Sequence, residues 1–142
     1  AKPIGNLWNQ PLTLFSAMFS GCGSGTLTDF SLLAVQDGEF VNLLPIVRLS
    51  NQSELRIWNE RALSSLPVIL TADFLWNIKE GETHFSGHHY QIDVYVFDDA
   101  NERYFREVSY QTVRKYPGLD EANSLRVIES ERQAILAKLH QD

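Results

Sequence analysis

The clearest alternation of apolar and polar positions spans residues 90–97. Tyr90, Ile92, Val94 and Val96 fall on one face of an extended segment, and Gln91, Asp93, Tyr95 and Phe97 on the other. A polar cluster at 98–103 interrupts the run, and a second run rich in aromatic and β-branched residues follows, which predicts an antiparallel hairpin. Asp93 and Glu107 then lie on adjacent strands. A rival for the second run is a helix opened by the capping-box pair Asp99 and Glu102, with Ala100, Tyr104, Phe105, Val108 and Thr112 on one face. The weak helix formers in this run favour the strand.

Around the hairpin the pattern predicts the other elements. Residues 1–11 read as an extended N-terminal arm anchored by Leu7 and Trp8, with Pro3 and Pro11 blocking a helix. Residues 12–19 are apolar and of ambiguous type. Asp37-Gly38 between two apolar runs predicts a hairpin, whose second arm contains Pro45 and so belongs at an edge or is broken there. Residues 53–66 predict a mid-chain helix, with Ser53 as N-cap and an apolar stripe of Leu55, Trp58, Ala62 and Leu66. Pro67 stops it, a buried strand begins at Val68, and a long C-terminal helix is expected over 120–140, packed through Ala122, Leu125, Ile128, Ile135 and Leu139. The expected fold is α+β: a single domain over residues 1–142, with a mostly antiparallel sheet of four to six strands and these two helices.

Composition narrows the function classes. With 142 residues and 44% apolar content the chain is long enough to bury its own core, and it contains no apolar run long enough to span a membrane. The formal net charge is −6, which argues against coating a phosphate backbone. Residues 1–98 carry 5 Lys or Arg against 10 Asp or Glu, whereas residues 99–142 carry 7 against 8. The excess acid therefore lies in the first part, where it would steer a basic protein partner. Cys22 is the lone cysteine, so an internal disulfide is impossible and a cytoplasmic location is expected. The loop 21–25 is glycine-rich but lacks the Lys-Ser/Thr of a phosphate-binding loop, and no cofactor is expected.

Three groups of residues bear chemistry. His84, His89 and Asp93 are alternative ligands for a divalent metal, since alternation puts His89 and Asp93 on one face and separates them from His88. Tyr95, Phe97 and Tyr104 around Asp93 form an aromatic patch suited to protein recognition. An acidic residue on one strand, a turn and an acidic residue on the next, with a helix after them, resembles the element order of the metal-dependent nucleases with a PD-(D/E)xK core. The resemblance covers residues 88–140 and implies Asp93 and Glu107 as metal-binding carboxylates, with Glu60 a further one. Ser109 stands where that family places its lysine, which leaves no cation to stabilise a developing anion. The leading expectation is a non-catalytic, acidic binding protein; a metal-dependent hydrolase or nuclease-like fold is the alternative, and a Cys22 hydrolase using His88 or His89 is third.

Overall fold

The computed structural model describes residues 1–20, 25–60, 62–83, 85–117 and 126–140. Nine strands are β1 (Lys2–Leu7), β2 (Gln10–Ser20), β3 (Thr26–Gln36), β4 (Glu39–Asn42), β5 (Val47–Ser50), β6 (Glu54–Trp58), β7 (Val68–Phe74), β8 (Tyr90–Asp98) and β9 (Arg103–Gln111). Two short helices follow, α1 (Val127–Ser130) and α2 (Arg132–Leu139). Sheet A has the order β1-β2-β3-β4, with β5 also paired to β3, and sheet B has the order β6-β7-β8-β9. Every pairing is antiparallel. No helix among the described residues is long and apolar enough to cross a membrane.

Sheet B is the middle layer. Tyr90, Ile92, Val94 and Val96 of β8 pack with Val127, Ile128 and Ile135 of the helices, while Tyr95 and Phe97 pack with Leu12, Leu14, Leu32 and Leu49 of sheet A. The opening alternation is thus real, but the turn end of its second face is buried too. β7 goes further, with Val68 and Leu70 facing the helices and Ile69 facing sheet A. A strand covered on both faces reads as a continuous apolar run, and each fully buried Ile or Leu there contributes about 1.5–3 kcal/mol.

Several expectations are corrected. Among the described residues, nine strands in two sheets replace the single sheet of four to six. The helix expected over 53–66 is β6 followed by turns. Leu55 and Ile57 alternate as well as they fit a helical stripe, and the ladder Glu54↔Ala72 to Trp58↔Val68 fixes the extended form. The arm at 1–11 contains β1, paired with the start of β2. The long C-terminal helix is α1 and α2, with Glu131 between them, and its first part lies outside the described residues. Its stripe does pack on sheet B through Ile128, Ile135 and Leu139. The run after the polar cluster is a strand, β9, so the rival helix over that run falls away.

Buried polar groups join the layers. The Glu54 Oε2 accepts the backbone N–H of Val127 at 3.0 Å and of Ile128 at 3.3 Å, capping α1, while Arg56 lies 2.9 Å from Oε1. Burial raises the Glu54 carboxyl above its usual range, against the opposing effect of the Ile128 and Val127 N–H groups and Arg56. Tyr110 and Tyr116 donate to the two carboxylate oxygens of Glu131 at 3.0 and 2.6 Å, tying the junction of α1 and α2 to β9 and to the segment after it. Where the chain passes from β5 to β6, the Asp73 Oδ1 accepts the Ser50 N–H and the Ser50 and Ser53 hydroxyls.

Candidate functional site

The hairpin of β8 and β9 places Asp93 across from Ser109, not Glu107. Register shifts between Val94 and Tyr95, so Val94 faces Val108 and Tyr95 faces Arg106, and Glu107 is the extra residue of a bulge. Ser109 donates to Asp93 at 2.6 Å, and Gln91 donates to Ser109 at 2.9 Å. Glu60 pairs with Arg132 of α2, on the helix side of sheet B, whereas Asp93 lies on the other face. The three carboxylates proposed for a nuclease-like centre are therefore not gathered into one site.

His88 and His89 are each held by partners of their own. His84 and Cys22 lie outside the described residues. The His89 Nδ1 is 2.8 Å from the Thr112 carbonyl oxygen. His88 is buried, with Nδ1 2.9 Å from the Leu75 carbonyl and 3.0 Å from Glu82, and Nε2 2.6 Å from the Thr83 carbonyl. Its ring packs 4.1 Å from that of Phe74. These contacts make His88 the pin that holds the loop after β7 against the start of β8. Glu82 accepts the Asn77 N–H at 2.7 Å, and that bond holds its carboxyl below the usual range, helped by Lys115 and His88 and opposed by burial. Among the described residues, no three His, Cys, Asp or Glu side chains come together as a metal-binding group.

The aromatic patch expected around Asp93 is corrected as well. Tyr95, Phe97 and Tyr104 are exposed by only 5%, 7% and 4%, because sheet A lies over them. Tyr104 donates its hydroxyl to the Pro67 carbonyl at 2.7 Å, and its ring centroid is 5.5 Å from that of Phe97. These residues support a site instead of forming one. Above them, three hairpin turns meet at one end of the two sheets.

Each turn has a local cause. Leu7 pairs with Gln10 around Trp8-Asn9, and Gln36 pairs with Glu39 around Asp37-Gly38. All four loop residues have positive φ: 54°, 61°, 52° and 82°. That is the twist a two-residue hairpin loop requires. The β8–β9 turn is set by Asp98, whose Oδ1 accepts the Ala100 N–H at 2.9 Å and whose Oδ2 accepts the Asn101 side-chain amide at 2.5 Å. Those bonds, the Asn101 side chain first, hold the Asp98 carboxyl below its usual range. The turn closes with Glu102 at φ 52°. Tyr104 donates its N–H to the Leu43 carbonyl at 2.9 Å, which joins this turn to the segment after β4.

The result is a cleft of about 440 Å³ whose walls include Trp8, Gln10, Val35, Asp37 and Glu102. Among the described residues, no Lys or Arg lines it. The adjacent Arg103 points its guanidinium at the Asn42 carbonyl, 3.2 Å away. Trp8, Asp37 and Glu102 all have left-handed backbones, which a bulky residue such as Trp adopts at a cost and keeps only where the surroundings enforce it. An indole and two carboxylates lining one cleft suit an ammonium or guanidinium group. Asp37-Gly38 was visible in the sequence as a turn, and Trp8 as an anchor. Their convergence with Glu102 was not, because it depends on how sheet A packs on sheet B.

No protein-family model matches the chain, and neither a curated protein nor a solved structure matches it significantly.

Proposed function

We propose that this chain is a non-catalytic binding protein that docks on a basic protein partner through the cleft at the three hairpin turns. The observation that carries this reading is that Trp8, Asp37 and Glu102 line one cleft whose lining, among the described residues, includes no Lys or Arg. The charge balance of the sequence supports it, since a net charge of −6 favours encounter with a basic surface. Glu39, Asp98 and Asp99 lie in or beside the same turns and extend the acidic surface. An Arg or Lys of the partner would enter the cleft over the indole, with its charge met by the two carboxylates.

The test is affinity capture from an extract of the source cell, using the unmodified chain and an Asp37→Lys/Glu102→Lys variant side by side. The expected result is a basic protein retained by the unmodified chain, released by added salt and absent from the variant. Equal capture by both proteins, or capture unaffected by salt, would contradict the reading.

A further inference from the structure

We infer that this protein binds a single neutral sugar ring in a pocket at the end of sheet B remote from the three hairpin turns. The pocket has a volume of about 210 Å³ and is lined by Leu75, Trp76, Asn77, Glu82, His89 and Gln111. From His89 at this pocket the chain runs the length of β8 before it reaches the Asp98 turn, so the inference is independent of the basic partner proposed above.

The pocket arises where the cover of sheet A ends. On the face of β8 turned toward sheet A, Phe97 and Tyr95 are buried, whereas Asp93, Gln91 and then His89 are only half-buried. Gln111 pairs with Gln91 across the β8–β9 ladder and lies on the same face. The Leu75 N–H donates to the His89 carbonyl at 3.1 Å, which continues the β7–β8 ladder by one bond and delivers Trp76 and Asn77 to the pocket. The indole of Trp76 is braced by the rings of Phe74 at 5.8 Å and His88 at 5.6 Å, and the residue is still 39% exposed. The Asn77 N–H bond to Glu82 at 2.7 Å and the left-handed Gly81, with φ 70°, close the loop between Asn77 and Glu82. These bonds set the lining before a ligand arrives, which lowers the cost of ordering it.

The charges in the lining select against ions. Among the described residues no Lys or Arg lines the pocket, so a phosphate or carboxylate meets no cation there. Its acid, Glu82, is already matched: Oε2 accepts the Asn77 N–H and lies 3.0 Å from the His88 Nδ1, and Oε1 has the Lys115 ammonium 3.0 Å away as an ion pair without an aligned hydrogen bond. A cationic ligand therefore gains no free carboxylate. What remains is neutral hydrogen-bonding capacity. Among the described residues, the Asn77 and Gln111 carboxamides have no hydrogen-bond partner, and each presents a donor beside an acceptor. The His89 Nδ1 is 2.8 Å from the Thr112 carbonyl, which assigns the proton of the neutral ring to Nδ1 and leaves Nε2 to accept. A hydroxyl donates and accepts at once, so two adjacent hydroxyls of a sugar match both atoms of a carboxamide, while the C–H face of the ring packs against an indole. The volume equals that of about seven water molecules, enough for one ring and not for a chain of them.

Proton–nitrogen NMR of the unmodified chain tests the inference, with the methyl glycosides of glucose, galactose and mannose, inorganic phosphate, methylguanidinium and adenosine titrated separately. At least one glycoside is expected to shift the Trp76 indole N–H and the Asn77 and Gln111 side-chain amides together, saturably and in the millimolar range, with the Trp8 indole N–H unmoved. Gln111→Ala, at an exposed strand end, is expected to keep the folded spectrum and weaken that binding about five- to tenfold, the effect of losing one hydrogen-bonding group. Three signals unmoved by every glycoside, or glycoside binding unchanged in Gln111→Ala, would overturn the inference. An equal or stronger response to phosphate or methylguanidinium would show that the lining does not select for a neutral ligand, and one to adenosine would assign the pocket to a planar base; either result would overturn it too.

Discussion

In sheet B, β7 is buried along almost its whole length; in sheet A, β2 keeps only Leu12 and Leu14 inside and exposes everything from Phe15 onward. Both strands are rich in apolar residues, so composition alone does not distinguish them. What differs is cover: sheet B has the helices on one face and sheet A on the other, whereas sheet A has an apolar layer only on its inner face. The middle sheet is therefore covered on both faces, and the outer sheet supplies turns and an exposed outer face.

The sharpest way to break that contrast is to truncate a side chain in each sheet. Ile92→Ala, in the fully covered face of β8, is expected to cost about 2–5 kcal/mol, measured as a drop in the urea midpoint with the slope unchanged. Tyr116→Phe removes the 2.6 Å bond to Glu131 that ties α2 to the rest of the structure. A bond to a carboxylate contributes about 1.5–3 kcal/mol, and the cost should appear in thermal unfolding with the sheet signal of the native state retained.

Glu82 offers a pH test of the same covered region. Its carboxyl lies below the usual range, so the stability it contributes is present above the unfolded value of about 4.5 and is lost as pH falls through the depressed value. Glu82→Gln is expected to melt below the unmodified chain at neutral pH, with the gap narrowing as pH falls below that range. A gap that stays constant across that range would show that the carboxylate charge is not what matters there. At the small end, Met18→Ser on sheet A should shift stability by no more than about 0.5 kcal/mol, because the side chain is 72% exposed. A larger loss would mean that the exposed end of β2 is covered as well.

Much of the strand pattern was legible in the sequence. The alternation of 90–97, the Asp37-Gly38 turn and the β-branched run after the polar cluster each correspond to a strand or turn of the structure. Residues 53–66 misled because Leu55 and Trp58 fit a helical stripe while Leu55 and Ile57 fit a pleated one, and only the ladder to β7 decides between them. Tyr95, Phe97 and Tyr104 were assigned to a surface because one sheet of four to six strands would leave that face open. A second sheet closes it. Asp93 and Glu107 do lie on adjacent strands, but a one-residue bulge, which cannot be counted from sequence, sets Asp93 across from Ser109 and leaves Glu107 as the extra residue.

The most direct test of the proposed recognition end uses Trp8 as its own reporter. In a Trp58→Phe/Trp76→Phe background, Trp8 is the remaining indole, and an arginine-rich peptide can be titrated against its fluorescence. The expected result is a saturable change that weakens with salt and is abolished by Asp37→Asn/Glu102→Gln, without loss of the folded state. An unchanged Trp8 signal, or a response that is the same with and without the two carboxylates, would contradict it.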